Sequence, residues 1–193
     1  MYVTTASAEQ IRVHLCYELK WMLRAVVRFE QLTAELEAAD SDLVALQDSA
    51  LLHARNLVEF ANASSDPAEP QVQWALSDIL GAHRRKVPTS LHTFLNHWAM
   101  QLGGATEARW PKDLAGNRID SQDDARLSKV TEVVFKALKP KHRTTTLETD
   151  QGVAYVELLD RAREYFELRT PEMFDRLTCD GTPMPIPTSK KGK

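Results

Sequence analysis

The residues best suited to chemistry in this chain form two polar clusters, each within an otherwise apolar stretch. The first cluster lies in LLHARNLVEF (51–60) and contains His53, Arg55, Asn56 and Glu59. Metal-free cleavage of RNA needs a base for the 2′-hydroxyl, an acid for the leaving oxygen and a cation for the phosphorane. Histidine and arginine suit those roles, because histidine exchanges protons near neutral pH and arginine keeps its charge.

The second cluster lies in SLHTFLNHWAMQ (90–101), where His92, Asn96 and His97 interrupt an apolar stripe. His97 lies at the edge of that stripe. A histidine there is either a neutral core residue with one hydrogen bond or a proton carrier near pH 7. Both interpretations stay open.

Arg55, Asn56 and His97 are the candidate catalytic residues. A structural interpretation competes with this one. Arg55 and Glu59 are four residues apart on a predicted helix and can pair across one turn. His53 and Asn56 would then bond to a neighbouring helix, because buried polar groups are usually satisfied by protein.

The elements that must position these side chains are predicted to be helices. Apolar residues recur at helical spacing through most of the chain, sustained apolar–polar alternation is absent, and glycines number only 7. A first long helix is predicted from a capping box at Ser7 to about Ala39, and a second begins with Ser41 as N-cap. Their short connection predicts an antiparallel pair.

About four to five further helices complete the predicted all-α bundle. A polar loop is expected from Pro140 to Gly152. Five further helices are predicted. The first ends at Gly81, the second has Pro88 in its first turn, and the third is capped by Ser121. The fourth holds Val156 to Phe166, and a short last one is capped by Thr170 and Pro171.

Length and charge restrict the class of protein. The 193 residues suit one domain, predicted over 1–179, with a disordered basic tail over 180–193. A net charge of −3 argues against a protein that mainly coats nucleic acid. The run HRRK still makes Arg84, Arg85 and Lys86 candidate nucleic-acid contacts, the alternative being a solvated connector, as for KPKHR (139–143).

The two cysteines and several absent motifs restrict the predicted cellular compartment and the predicted chemistry. Cys16 and Cys179 are far apart in sequence, which predicts reduced thiols in the cytoplasm rather than a disulfide. A signal peptide and a membrane-spanning stretch are not expected. Phosphate-binding GxxxxGK[ST], HExxH, paired CxxC and GxSxG motifs are absent, so neither a metal nor a cofactor is predicted.

The motif LLHARNLVEF, followed about forty residues later by LNHW, resembles bacterial helical proteins of the HEPN type. Those sequences carry a pattern similar to "hharnLidFF" on one helix and a motif ending in "aHLt" on a later one. His53 to Leu57 match the first motif, and His97 matches the later histidine. The resemblance extends roughly from Glu18 to Trp110.

The resemblance implies an all-α bundle, often dimeric, and in its active branch metal-independent RNA cleavage at the dimer interface. That branch carries an arginine followed within a few residues by a histidine, and Arg85 to His92 is one formal match. Pro88 interrupts that match, and Thr93 stands where related sequences often have a basic residue before the later histidine.

Apolar residues outside the core stripe of the first helix point to assembly. Val13, Tyr17 and Trp21 lie away from that stripe, which predicts a homodimer using the first or fourth helix. The expected function is that of a HEPN-like helical protein acting through a homodimer, a protein partner or RNA. The alternative is a ribonuclease of a defence or toxin–antitoxin system, and a third possibility is small-ligand binding near Trp98.

Overall fold

The fold is known from a computed structural model that describes residues 8–34, 40–62, 79–80, 85, 87–100, 126–141 and 150–177. Within those ranges the chain is helical and contains no strand, which confirms the predicted all-α class. No helix there is long and apolar enough to cross a membrane. The helices are α1 (Ala8–Ala34), α2 (Asp40–Asn62), α3 (Thr89–Met100), α4 (Arg126–Leu138), α5 (Asp150–Leu168) and a 3₁₀ helix (Pro171–Arg176).

Helix α1 is central to the bundle, because it packs against α2, α4, α5 and the 3₁₀ helix. Its predicted apolar ladder is buried, and Cys16 and Phe29 extend the buried surface to further sides of the helix. The predicted cap at Ser7 and the predicted end near Ala39 lie outside the described residues. The buried ladder comprises Leu15, Leu19, Met22, Leu23, Val26 and Val27.

Helix α2 lies antiparallel to α1, as predicted. It also packs against α3 and α4, so it buries more than one side. Helical spacing predicts a core stripe on this helix, comprising Leu43, Leu46, Ala50, Ala54, Leu57 and Ala61. The last four are buried, and Leu51 and Val58 are buried beside them. Leu43 and Leu46 are only partly buried.

The later helices follow the predicted order with small shifts at their ends. Pro88 directly precedes α3, and its carbonyl accepts the N–H groups of Leu91 (3.0 Å) and His92 (3.2 Å). The loop predicted to reach Gly152 is too long, because α5 already begins at Asp150. Glycine is a poor helix former in isolation, but Gly152 is buried where the helix meets the bundle. The predicted helix end at Gly81, the predicted cap at Ser121 and the tail 180–193 lie outside the described residues.

The 3₁₀ helix closes the bundle against α1. Phe174 is fully buried in the core, and the carboxylate of Asp175 accepts a 2.8 Å hydrogen bond from Arg24 of α1. Lys20, one turn earlier on α1, lies 3.5 Å from the same oxygen. The short last helix predicted after Thr170 is therefore confirmed, with 3₁₀ rather than α geometry.

The prediction of reduced thiols is wrong. Cys16 is fully buried and disulfide-bonded; Cys179, the other cysteine of the chain, lies outside the described residues. The Cys16 sulfur lies 3.7 Å from the carbonyl oxygen of Leu177, which directly follows the 3₁₀ helix. The separation of the two cysteines in sequence did not predict their redox state, because the 3₁₀ helix and Leu177 pack against the middle of α1.

Candidate functional site

The first polar cluster joins α2 to α1 through one carboxylate. Oε2 of Glu18 accepts a hydrogen bond from Nδ1 of His53 (2.8 Å) and another from Nδ2 of Asn56 (3.1 Å). The side chains of His53 and Glu18 are only 13% and 18% exposed. The strip of α2 that carries His53 and Asn56 thus faces α1, as the structural interpretation predicted.

The second cluster joins α2 to α3 through Arg55. Its Nε donates to Oδ1 of Asn96 (3.1 Å), and its Nη2 lies 2.8 Å from Oε1 of Glu59, the predicted pair one turn away. Because the Asn96 oxygen accepts from arginine, its amide nitrogen faces His92, lying 3.2 Å from Nε2 and 3.4 Å from Nδ1. The Asn96 amide thus contacts the Arg55 guanidinium through its oxygen and the His92 imidazole through its nitrogen.

The candidate catalytic residues do not all point to one place. Arg55 and Asn56 are neighbours in sequence, yet Arg55 bonds to α3 and Asn56 bonds to α1. His97 lies on α3 directly after Asn96, and its side chain is outside the described part of the structure. Among described side chains, the histidine connected to Arg55 is His92.

Three members of these clusters were not among the candidate catalytic residues. Glu18 reads in sequence as an ordinary surface charge on α1, and nothing local identifies it as the partner of His53 and Asn56. His92 and Asn96 were noted in the second cluster, and their contact could have been predicted, because they are four residues apart on one helix and therefore share a face. Among the described residues, no group of three or more His, Cys, Asp or Glu side chains could hold a metal ion.

The basic candidate Arg85 lies at the C-terminal end of α4. Its Nε donates to the carbonyl of Lys139 (3.1 Å) and its Nη2 to the carbonyl of Pro140 (3.4 Å). A cation is favourable there, because the last carbonyls of a helix lack partners and carry its negative dipole end. Arg84 and Lys86 lie outside the described residues.

The formal Arg85–His92 motif is not joined by any hydrogen bond in the described part of the chain. Arg85 binds the end of α4, whereas His92 faces Asn96. The intervening Pro88 lies at the start of α3, so Arg85 belongs to the connector and His92 to the helix.

A buried tyrosine completes the end of α4. The hydroxyl of Tyr155 donates a 2.6 Å hydrogen bond to the carbonyl oxygen of Leu138, and burial raises the pKa of Tyr155 well above its usual value. The phenol is neutral in the folded protein at physiological pH. It is a structural group rather than an acid or base.

Comparison with known proteins identified no relative. No protein-family model matches the chain, and searches of curated proteins and of solved structures gave no match either. Function is therefore argued from the residues and contacts of this chain alone.

Proposed function

We propose that this protein is a HEPN-like helical binding module that acts as a homodimer, with the exposed face of α1 at the dimer interface. The observation that carries this proposal is a strip of large apolar side chains on that face, defined by Val13, Tyr17 and Trp21. These side chains are 39%, 50% and 38% exposed. They are four residues apart and so follow one line along the helix.

The surroundings of the α1 strip favour an apolar partner over a charged one. Glu18 is engaged by His53 and Asn56, and Arg24 and Lys20 are engaged by Asp175. These three charged side chains beside the strip are thus already matched within the chain. Tyrosine and tryptophan are enriched at the buried centres of protein interfaces.

A second copy of the same chain fits the shape of the strip. An antiparallel copy related by a two-fold axis near Tyr17 would place the two tyrosines together and each Val13 opposite Trp21 of the partner. A small residue then faces a large one on both sides, as a self-complementary interface requires. A stable interface buries about 1,200–2,000 Å² in total, so the strip would form its centre.

The test is the mass of the protein in solution, measured by size exclusion with light scattering at micromolar concentration. We expect a dimer for the parent and a monomer for Tyr17→Glu, because an interface centre does not tolerate an unpaired charge. Val44→Glu on α2 is the matched control, since Val44 is 56% exposed and outside the strip. A monomeric parent, or equal loss of dimer in both variants, would refute the proposal.

A second candidate function is metal-independent RNA cleavage, in the manner of a toxin or defence ribonuclease. The specific support is the Arg55–Asn96–His92 array, which holds a cation and an imidazole on one surface between α2 and α3. A dimer would carry two such arrays, so acid and base roles would not need to come from one chain.

Cleavage is tested with single-stranded RNA and the variants Arg55→Ala, His92→Ala and His97→Ala, with Lys136→Ala as control. We expect each of the first three to abolish any activity of the parent while the thermal midpoint stays within a few degrees. Loss confined to His97→Ala would assign the role to the later histidine of the HEPN-like motif. A parent that leaves RNA intact would eliminate this candidate.

The cytoplasmic location remains a prediction, and the disulfide at Cys16 argues against it. Disulfides persist in oxidising compartments and are rare in the cytosol, and Cys16 is disulfide-bonded. Alkylation of thiols in cells lysed directly into denaturant decides between the settings, because unfolding exposes the buried Cys16 and a cytosolic pool would be labelled before reduction, an oxidised pool only after it.

A further inference from the structure

The two basic connectors, far apart in sequence, meet in space at a cavity. Arg85 comes from the first connector, and Lys139 and Lys141 come from the second; all three line a cavity of about 280 Å³. The two hydrogen bonds from the Arg85 guanidinium to the Lys139 and Pro140 carbonyls hold the connectors together. Each run alone reads as a solvated connector, but Arg85, Lys139 and Lys141 together line one concave basic surface.

The charge of this cavity favours an anion. Its described lining contains three cationic side chains and one carboxylate, that of Asp160. The C-terminal carbonyls of α4 would repel an anion. Arg85 offsets that effect, because its guanidinium lies beside the end of α4 and binds the Lys139 and Pro140 carbonyls that directly follow it.

Arg85 is also oriented in advance for a ligand. Nε and Nη2 are used by the backbone, and Nη1 makes no hydrogen bond among the described residues. A guanidinium fixed in this way presents its remaining donors without losing further rotamer freedom, which suits it to a phosphate oxygen. Lys139 and Lys141 are exposed and add two ammonium groups to the lining.

One wall of the cavity, formed by α5, is mainly apolar. It contains the buried Leu159 and the half-buried Val156, together with the carboxylate of Asp160. Pockets for drug-sized ligands have volumes of about 300–1,000 Å³, so this cavity suits a smaller molecule. A lining with both cationic and aliphatic side chains matches a compact molecule with one phosphate and one apolar or ring-shaped part.

We infer that this cavity is a binding site for a small organic phosphate monoester, with Arg85, Lys139 and Lys141 holding the phosphate and Val156 and Leu159 contacting the carbon skeleton. The inference goes beyond the proposed dimer, because the cavity is lined by α5, the segment after α4 and the connector before α3, without the α1 strip.

The experiment is isothermal titration of the full chain with phenyl phosphate, with inorganic phosphate and benzyl alcohol as reference ligands. We expect phenyl phosphate to saturate with Kd below about 1 mM and to bind at least about tenfold more tightly than either reference, since only it uses both walls. The double variant Lys139→Glu/Lys141→Glu should weaken binding at least about tenfold, whereas Lys136→Glu, on an exposed face of α4 outside the cavity, should bind as the parent does.

A second variant tests the apolar wall. Val156→Ser should weaken phenyl phosphate and leave inorganic phosphate unchanged, because it alters only the surface under the carbon skeleton. Circular dichroism checks that each variant is folded. Titration of Tyr17→Glu as well separates this result from the dimer proposal, since the monomer should bind equally well.

Four outcomes would overturn the inference. They are a lack of saturation with phenyl phosphate, equal affinity for inorganic phosphate, an equal loss of binding in Lys136→Glu, and lysine-dependent binding of a short single-stranded RNA that phenyl phosphate does not share. The last result would assign the cavity to a nucleic-acid backbone instead of a small molecule.

Discussion

Glu18 is the shared hydrogen-bond acceptor of two polar residues of α2, His53 and Asn56. One of its carboxylate oxygens satisfies donors from two different side chains at the helix interface, and the edge of the Tyr17 ring lies beside His53, with the ring centroids 5.8 Å apart. A half-buried donor without a partner is costly, more so than the net gain from making the bond. The cluster therefore contributes to the α1–α2 contact, whereas Arg55 bonds to Asn96 of α3.

Replacing the shared acceptor should reveal this role. Glu18→Ala is expected to lower the free energy of unfolding by about 1–3 kcal/mol, because His53 and Asn56 lose their common partner. Urea denaturation measures the change. Glu59→Ala is the control, since its exposed pair with Arg55 is worth at most about 1 kcal/mol; equal losses in both variants would contradict the structural role of Glu18.

Tyr155 predicts how stability depends on alkaline pH. Its pKa is raised in the folded state, so above pH about 10 the unfolded chain loses a proton that the folded chain retains. The stabilisation is complete below that pH and is lost as the pH rises further. Tyr155→Phe should lower the unfolding free energy by about 1 kcal/mol at pH 8 and should flatten its fall above pH 10.

Urea denaturation across pH 8 to about 11 compares the two proteins. Parallel curves for the parent and Tyr155→Phe would show that this phenol does not contribute to the alkaline loss. The hydrogen bond to Leu138 would then be the whole contribution of the side chain.

Arg55, Asn56 and Arg85 show which contacts can be predicted from the sequence. The Arg55–Glu59 pair was predictable because i,i+4 spacing fixes it within one helix. The partners of Asn56 and Arg85 were not, because they come from α1 and from the end of α4 and depend on how helices pack. The division of Arg55 and Asn56 between two neighbouring helices has the same cause.

At the scale of elements, periodicity predicted the helices and their buried faces well. It did not predict that the 3₁₀ helix returns to α1, since six residues carry too little periodic signal to specify a docking surface. The docking depends on Phe174, which is fully buried, and on the ion pairs of Asp175 with Arg24 and Lys20.

Truncating the anchor of the 3₁₀ helix should therefore be costly. Phe174→Ala is expected to destabilise the protein by about 3–5 kcal/mol, through lost burial and a residual cavity. Thermal unfolding measures the shift, with exposed Glu172→Ala as the neighbouring control. A thermal midpoint that is the same in both variants would mean that Phe174 does not anchor the helix.

At the scale of the molecule, the disulfide at Cys16 couples the bundle to its redox environment. Reduction is expected to lower the free energy of unfolding by about 2–4 kcal/mol, because a cross-link restricts the unfolded chain. Denaturation with and without reductant measures the change. Titration of the unfolded, unreduced protein should find no free thiol, and two thiols per chain would contradict the cross-link.

The packing of the 3₁₀ helix against α1 has a consequence for synthesis on the ribosome. Helices α1 and α2 emerge first and can pair early, because their contacts are local. The opposite side of α1 stays uncovered until α5 and the 3₁₀ helix have left the exit tunnel. The nascent chain thus exposes part of its future core for most of its translation, and a prematurely terminated chain would present that surface to chaperones and proteases.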